Sequence, residues 1–289
     1  MNEYNAHKLR LNRFLGADGR CLDVAIDHGI FNELSFLDGL EDMHAVVKSL
    51  VDAGPDAIQM NFGQADILQS IPGKHKPALV MRMDVGNPYN AVGHKFMYNQ
   101  PVVDVDPVLP AVQMDAACVV VNLLLLPNEP ELHRQTVSNV GRIRHFCDTY
   151  RMPLMVEPLV MKAHDGRDGY QVDGNKRLIV PLVRQARELG ADIIKADPTE
   201  HPEDYHEVVA AARCPVLVRG GGKKPLETVF AEAHAFLQQG AKGLVYGRNI
   251  YQHPNPNRIV AAFMAMIHQG ADASEATAIY HGEKSKSPT

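Results

Sequence analysis

The feature that most constrains the fold of this chain is a repeated alternation between short apolar segments and longer segments of helical character. Runs of Val, Ile, Leu and Ala that are only a few residues long are typical of interior parallel strands. Strands that alternate with helices favour a parallel sheet with right-handed crossovers. We predict eight strands, at residues 21–26, 57–61, 78–83, 117–122, 153–157, 192–197, 215–219 and 243–246.

Eight such units predict an α/β fold, the (β/α)8 TIM barrel, and 289 residues suit the length of that barrel. No Gly-x-Gly-x-x-Gly sequence follows the first strand, which argues against an open dinucleotide-binding sheet. We expect a single barrel domain over residues 1–289. It would have a short N-terminal cap over about residues 1–20 and a flexible tail over about residues 282–289.

The composition argues against several classes of partner. A formal net charge of -5 disfavours binding to nucleic acid or to an anionic membrane. No run approaches the roughly 20 apolar residues that span a bilayer, and no secretory signal is visible at the start. The four cysteines form no Cys-x-x-Cys pair, which suits reduced thiols. We therefore expect a cytoplasmic protein.

One predicted strand carries a lysine where a barrel would bury it. Because side chains alternate along a strand, Ile193, Lys195 and Asp197 share one face. Burial favours the neutral form of an amine, which can attack a carbonyl carbon to form a Schiff base. The alternative is a structural lysine that forms an ion pair with Asp197 or Asp27.

Polar residues cluster where the predicted strands end, and catalytic residues of this barrel lie at those ends. The amino-terminal halves of the strands are mostly apolar, which indicates a site and not a solvated rim. Some of the residues, such as Asn61 and Asp197, could instead only fix loops. Residues 86–104 have no clear period, and insertions of this kind commonly shape a substrate pocket. The polar residues at the strand ends are Asp27, His28, Asn61, Asp84, Asn122, Glu157, Lys195, Asp197, Arg219 and Arg248.

Two glycine-containing segments follow the last two strands and together predict a phosphate site. They are Gly220-Gly221-Gly222-Lys223-Lys224 and Gly247-Arg248-Asn249. Glycines let backbone N–H groups approach phosphate oxygens, and barrels frequently bind phosphate at these two loops. The expected ligands are Gly221, Gly222, Gly247 and Arg248, while Lys223 and Lys224 could be merely solvated.

The carboxylates at the strand ends raise the alternative of a metal site. Together with His28 or His201 they could bind a divalent ion. No His-x-His or His-Glu-x-x-His spacing supports such a site, and we expect neither a metal nor a cofactor.

With these motifs in place, the chain resembles the archaeal-type class I fructose-bisphosphate aldolases. It is also similar to the wider superfamily of deoxyribose-phosphate and tagatose-bisphosphate aldolases, including the autoinducer-2 phosphate thiolase. The matching pieces are Asp27-His28-Gly29, residues 191–195, residues 220–224 and residues 247–252. The resemblance implies that Lys195 forms the Schiff base, that Asp27 assists proton transfer, and that the last two loops hold phosphate. It also implies a homo-oligomer.

One position departs from the pattern of the family it resembles. Fructose-bisphosphate members have a tyrosine proton donor on the fifth strand, and Leu159 falls near that position here. Either Glu157 performs the acid–base chemistry or the substrate differs from fructose 1,6-bisphosphate. A permanent ion pair of Glu157 with Lys195 or Arg219 is the structural alternative.

These observations predict a Schiff-base aldolase that cleaves or forms a C–C bond in a phosphorylated ketose or keto sugar. We expect Lys195, Asp27 and Glu157 to be catalytic. Residues expected to bind substrate are His28, Asp84, Asn122 and Arg219. One alternative is a thiolase-like acyl transfer from a phosphorylated diketone to coenzyme A on the same scaffold. The other is a barrel that binds a sugar phosphate without catalysis.

Overall fold

The computed structural model describes residues 9–282, and eight of the strands in that range close a parallel barrel. In chain order the strands are β1 Cys21–Ala25, β2 Ala57–Asn61, β3 Ala78–Arg82, β4 Asp84–Gly86, β5 Asn99–Pro101, β6 Cys118–Leu125, β7 Leu154–Ala163, β8 Tyr170–Val172, β9 Ile193–Ala196, β10 Val216–Arg219 and β11 Gly243–Tyr246. All of them except β4, β5 and β8 form the barrel, which is closed where β6 pairs with β7 and β1 pairs with β11. This arrangement confirms the predicted (β/α)8 fold.

Helices surround the barrel and connect its strands. The side chain of Asp42 caps helix Met43–Ala53 by accepting a hydrogen bond from the amide of Ala45, and Gly54 ends that helix with a φ of 72°. In chain order the helices are α1 Leu11–Phe14, α2 Met43–Ala53, α3 Ala65–Gln69, α4 Leu109–Gln113, α5 Pro130–Tyr150, α6 Lys176–Glu188, α7 Tyr205–Ala212, α8 Leu226–Gln238, α9 Arg248–Tyr251, α10 Pro256–Met264 and α11 Ala273–His281.

The barrel interior is apolar at its amino-terminal end and polar at its carboxyl end. Strand alternation points one set of side chains inward, and α1 covers the bottom of that set with Leu11 and Phe14. Leu11 and Phe14 are both buried. The polar layer above is therefore separated from solvent on that side. The apolar inward residues include Cys21, Ala25, Val80, Cys118, Val120, Met155, Ile193, Leu217 and Val245.

The fifth barrel strand is longer than the sequence predicts. The prediction ended it at residue 157, whereas β7 continues through Pro158 to Ala163. The amide of Val160, which faces the β9 side, donates to the carboxylate of Asp197 and not to a strand. The ladder between β7 and β9 ends at Val156. Pro158, whose nitrogen faces β9, therefore removes no hydrogen bond from that ladder. The end of β7 then pairs antiparallel with β8.

Helix α1 falls within the range predicted for the N-terminal cap, which stays a prediction. Residues 1–8 of the cap, and the predicted tail apart from Gly282, lie outside the described residues. No helix in the described part of the chain combines the length and the apolar character needed to cross a membrane.

Candidate active site

Lys195 lies on β9 with its side chain inside the barrel, where only 4% of the residue is exposed. Its Nζ atom is 3.1 Å from Oε2 of Glu157 and donates to Oε1 of Gln59 at 3.3 Å. The sequence suggested Asp27 or Asp197 as ion-pair partners of this lysine, and for Glu157 it suggested an ion pair with Lys195 or Arg219. The partner is Glu157, which the neighbouring strand β7 brings to the same height in the barrel.

Arg82, the last residue of β3, binds three carboxylates with one buried guanidinium. Its Nε donates to Asp27 at 2.8 Å, its Nη1 to Asp84 at 3.3 Å and its Nη2 to Glu157 at 2.5 Å. Buried charges are costly unless they are paired, and each of these carboxylates has its partner here. The single side chain of Arg82 therefore holds both candidate acid–base residues, Asp27 and Glu157, in position.

The ion pairs determine the protonation of those two carboxylates. Burial alone would raise the pKa of Glu157, but Lys195 and Arg82 outweigh it and lower the pKa to about 2. Burial is likewise overcome at Asp27, where Arg82 and Lys195 lower the pKa to about 2. Both groups are therefore ionised at neutral pH.

Asp27 reaches Lys195 only through an intermediate side chain. Nε2 of Gln59 donates to Oδ2 of Asp27 at 2.5 Å, while Oε1 of the same amide accepts from Lys195. Asn61 donates to the backbone carbonyl of Asp27, which ties down the start of the loop after β1. The loop-fixing interpretation of Asn61 fits this contact.

Asp84 and Asn122 lie behind Arg82 and do not line the cleft beside Lys195. Oδ2 of Asp84 accepts from the side-chain amide of Asn122 at 2.9 Å and from that of Asn99 at 2.7 Å. Asp84 and Asn122 are at most 1% exposed. In this structure Asp84 contacts Arg82 directly and Asn122 contacts Asp84, so both support Arg82, and their expected contact with substrate stays a prediction.

Arg219 lies at the end of β10, where an ion pair with Asp197 orients it. Its Nε and Nη2 atoms lie 2.6 and 2.5 Å from Oδ1 of Asp197. Burial raises the pKa of Asp197 to about 6 although Arg219 opposes this. The remaining nitrogen, Nη1, faces the hydroxyl of Tyr89 at 3.5 Å. Asp197 thus holds another side chain in place, which is the structural interpretation considered from the sequence.

The two glycine-containing loops meet above this layer. Nη2 of Arg248 donates to the carbonyl of Gly221 at 3.4 Å, and its guanidinium lies 4.3 Å from the centre of the Phe36 ring. A Cβ atom on Gly247 would lie 2.5 Å from both the carbonyl of Ala25 and the ring of His28. Only glycine allows that close approach. Burial lowers the pKa of His28 to about 3, so its imidazole is neutral.

These side chains surround a narrow cleft with a cavity volume of about 20 Å³. Of the predicted site residues, Gly222 lies in an adjoining depression beside Lys224 and Asn249, and Asp84 and Asn122 lie behind the wall. The predicted residues that line the cleft are Asp27, His28, Glu157, Lys195, Arg219, Gly221, Gly247 and Arg248.

The sequence analysis missed four residues of this layer: Asp23, Gln59, Arg82 and Tyr89. Strand alternation could have found the first three, because each shares an inward face with small or apolar residues. Neither carboxyl oxygen of Asp23 has a hydrogen-bond partner within the described residues, and burial raises its pKa to about 8. This acid therefore keeps its proton at neutral pH. Tyr89 lies in the segment without a period, where no such signal exists.

Searches against known proteins agree with this architecture. The chain is 31% identical over 265 residues to an uncharacterized aldolase of Saccharolobus solfataricus, which covers 90% of this chain and 94% of the relative. It is 28% identical over 273 residues to the 3-hydroxy-5-phosphonooxypentane-2,4-dione thiolase of Shigella flexneri, covering 92% and 94%. The crystal structure of an archaeal fructose 1,6-bisphosphate aldolase superposes with a TM-score of 0.75 at 23% identity, covering 92% of this chain and all of that one.

The family model described as DeoC/LacD family aldolase matches residues 21–253, from the first barrel strand to just beyond α9, which begins at Arg248. The match covers the barrel strands and all the residues that line the cleft. This chain belongs to the DeoC/LacD family of aldolases.

Proposed function

We propose that this protein is a class I aldolase that forms a Schiff base between Lys195 and a phosphorylated ketose. The observation that carries the proposal is the 3.1 Å contact between Nζ of Lys195 and Glu157 inside a cleft that also contains Gly221, Gly247 and Arg248. A buried amine beside a buried base suits attack on a carbonyl. A backbone of glycines with an arginine suits a phosphate group.

Glu157 is the better placed of the two candidate bases. It contacts the amine directly, whereas Gln59 stands between the amine and Asp27. In the proposed first step Glu157 accepts a proton from Lys195, and the neutral amine adds to the substrate carbonyl. Glu157 then returns its proton to the hydroxyl of the carbinolamine, which leaves as water and gives the iminium.

The iminium supplies the electron sink for C–C cleavage. A carboxylate takes the proton of the hydroxyl next to the breaking bond, and the electron pair of that bond moves into the iminium to give an enamine. The aldehyde fragment departs. Protonation of the enamine restores an iminium, and water hydrolyses it to release the ketone and free Lys195.

Borohydride trapping tests this proposal. The protein is incubated with a panel of phosphorylated ketoses, including fructose 1,6-bisphosphate and dihydroxyacetone phosphate, and then reduced. We expect a stable adduct that peptide mass spectrometry places on Lys195, together with release of a triose phosphate from the ketose that is cleaved. A panel that is turned over without any adduct on Lys195 would contradict the Schiff-base mechanism.

A thiolase-like acyl transfer is the second candidate, and the thiolase relative of Shigella flexneri favours it. That chemistry would transfer an acyl group from a phosphorylated diketone to coenzyme A. Turnover that requires coenzyme A would support this second candidate over the aldolase. The phosphorylated substrate, the cytoplasmic location and the homo-oligomer expected from the sequence also stay predictions.

A further inference from the structure

The proposed reaction needs a group that donates a proton at neutral pH. After the C–C bond breaks, the enamine carbon must take up a proton before the ketone is released. Asp27 and Glu157 are both ionised, because Arg82 and Lys195 outweigh the effect of burial on their pKa values. In the resting protein neither carboxylate carries a proton, so a neutral hydroxyl of the cleft offers a donor that does not depend on the proton taken up during cleavage.

Tyr89 brings a hydroxyl into that cleft from outside the barrel strands. It follows β4, lines the cleft together with Lys195 and Glu157, and is 8% exposed. Its ring packs edge-on against Phe31 at 5.4 Å and Phe36 at 4.8 Å between ring centres. Those contacts hold the ring in place.

The backbone of Tyr89 is also held. Its carbonyl accepts from the amide of Tyr170 at 2.9 Å, which links it to the β7–β8 hairpin. A Cβ atom on Gly169 would lie 2.2 Å from the same carbonyl, so the hairpin approaches it as closely as a glycine allows. Ring packing and the hydrogen bond of the main chain therefore both hold Tyr89 in position.

The hydroxyl of Tyr89 is close to a cation but is not locked to it. Nη1 of Arg219 lies 3.5 Å from the phenol oxygen, longer than the roughly 2.7–3.2 Å of a normal N–H···O bond. The hydroxyl can therefore turn toward a substrate. The guanidinium, which Asp197 holds in position, would stabilise the phenolate that remains after proton donation.

Of the other neutral groups in this layer, Asp23 does not line the cleft, whereas His28 does line it but has a position that suits a different task. Its ring lies against Gly247 and packs edge-on against Phe36 and Tyr251, both at 5.5 Å between ring centres. These contacts place it at the loop expected to bind phosphate. They leave Tyr89 as the hydroxyl that faces the layer of Glu157 and Arg219.

We propose that Tyr89 is the proton donor of this cleft and that its hydroxyl protonates the enamine carbon after C–C cleavage. This role rests on the Schiff-base function proposed above. The enamine π electrons take the phenolic proton, which regenerates the iminium and leaves a phenolate beside Arg219. Water then hydrolyses the iminium to the ketone, and the phenolate regains a proton from solvent.

Exchange of a carbon-bound hydrogen tests this step apart from C–C cleavage. The probe is dihydroxyacetone phosphate in deuterium oxide, and NMR follows deuterium entry at the carbon next to the carbonyl. In Tyr89→Phe we expect exchange to fall by about 100-fold. The variant keeps the aromatic packing, so its melting temperature and its yield of borohydride adduct on Lys195 should stay near those of the wild type. Tyr98→Phe, at a tyrosine that is 38% exposed, is the matched control.

Other outcomes separate this inference from the proposed function. A folded Tyr89→Phe variant that forms the adduct and exchanges hydrogen within about threefold of the wild-type rate overturns the role of Tyr89 alone. A wild-type protein that forms the adduct without any exchange overturns it as well, because no proton then reaches that carbon. Absence of the adduct in the wild type contradicts the Schiff base itself and, with it, the donor.

Discussion

Nζ of Lys195 and Oε2 of Glu157 lie 3.1 Å apart, and the residues are 4% and 3% exposed. The same carboxylate oxygen accepts from Nη2 of Arg82. Glu157 therefore contacts the amine that would become the nucleophile and also the arginine that keeps this carboxylate ionised. Proton exchange between Lys195 and Glu157 requires no large movement of either side chain.

Replacing Lys195 with methionine should abolish turnover and adduct formation while the barrel stays folded. Methionine fills similar volume without the amine, and it removes one cation from the buried layer. The measurements are steady-state assay, borohydride trapping and circular dichroism. Lys242→Met, at an exposed lysine, is the control and should behave like the wild type. Retained turnover in Lys195→Met would exclude imine chemistry at this residue.

Glu157→Gln should lower kcat by roughly 10²–10⁴-fold, because glutamine cannot accept a proton. The adduct on Lys195 should still be trapped, since the amine remains. If Glu157 serves only as an ion-pair partner, stability falls instead and the kcat of the surviving folded protein changes little. In that case Asp27 would be the remaining carboxylate for proton transfer. Glu188→Gln, on the exposed side of α6, is the control.

Arg82→Met should destabilise the fold by about 3–5 kcal/mol, because it leaves buried carboxylates without their partner. Urea unfolding measures this loss. Arg134→Met breaks an exposed ion pair with Glu131 and should change stability little, because solvent screens that pair. A stability of Arg82→Met close to that of Arg134→Met would contradict the role of Arg82 as the link between the carboxylates.

The same Arg82 variant predicts a change in pH dependence. The folded-state pKa values of Asp27 and Glu157 are depressed to about 2, so their ionisation contributes stability above about pH 4 that is lost as pH falls toward 2. Without Arg82 both pKa values rise. The acid limb of the kcat/KM profile should therefore move to higher pH. If Arg82→Met does not fold, Arg82→Gln serves for this measurement, and an unmoved acid limb contradicts the prediction.

Arg248→Met should raise KM for the phosphorylated substrate by about tenfold with little change in kcat, since one charge-assisted contact is worth about 1.5 kcal/mol. Inorganic phosphate should inhibit the wild type competitively and the variant more weakly. Lys223→Met is the control, because Lys223 is an exposed residue of the neighbouring loop, which follows β10. Equal inhibition of wild type and Arg248→Met by phosphate would place the phosphate elsewhere.

His268 predicts a pH-dependent contribution to stability at the opposite end of the barrel. Burial lowers its pKa, but ion pairs with Asp56 and Asp18, each at 2.9 Å, outweigh burial and raise it. A raised folded-state pKa gives stability that is fully present below the unfolded value of about 6.5 and is lost as pH rises through the folded value. The melting temperature of His268→Asn should therefore fall furthest below that of the wild type at pH 5. A gap that widens toward pH 9, or an equal gap in the exposed control His145→Asn, would contradict this.

Much of the barrel and of the cleft could be predicted from the sequence, because strand alternation and strand ends are local signals. Lys195, Glu157 and Asp27 fall at such positions and meet in the structure. Arg82 was not predicted, because the sequence placed the end of this strand at residue 83 and the next polar residue at Asp84, whereas β3 ends at Arg82. Tyr89 could not be placed, since its position depends on packing between distant loops and on no period of its own.

The apolar closure at the bottom of the barrel has a consequence for the timing of hydrolysis. Leu11 and Phe14 are buried against the inward side chains at that end, so they separate the polar layer from the bottom of the barrel. Under the Schiff-base proposal, a sugar phosphate in the cleft would keep water from the imine until the first fragment leaves. The closed end of the barrel would then determine the order of product release.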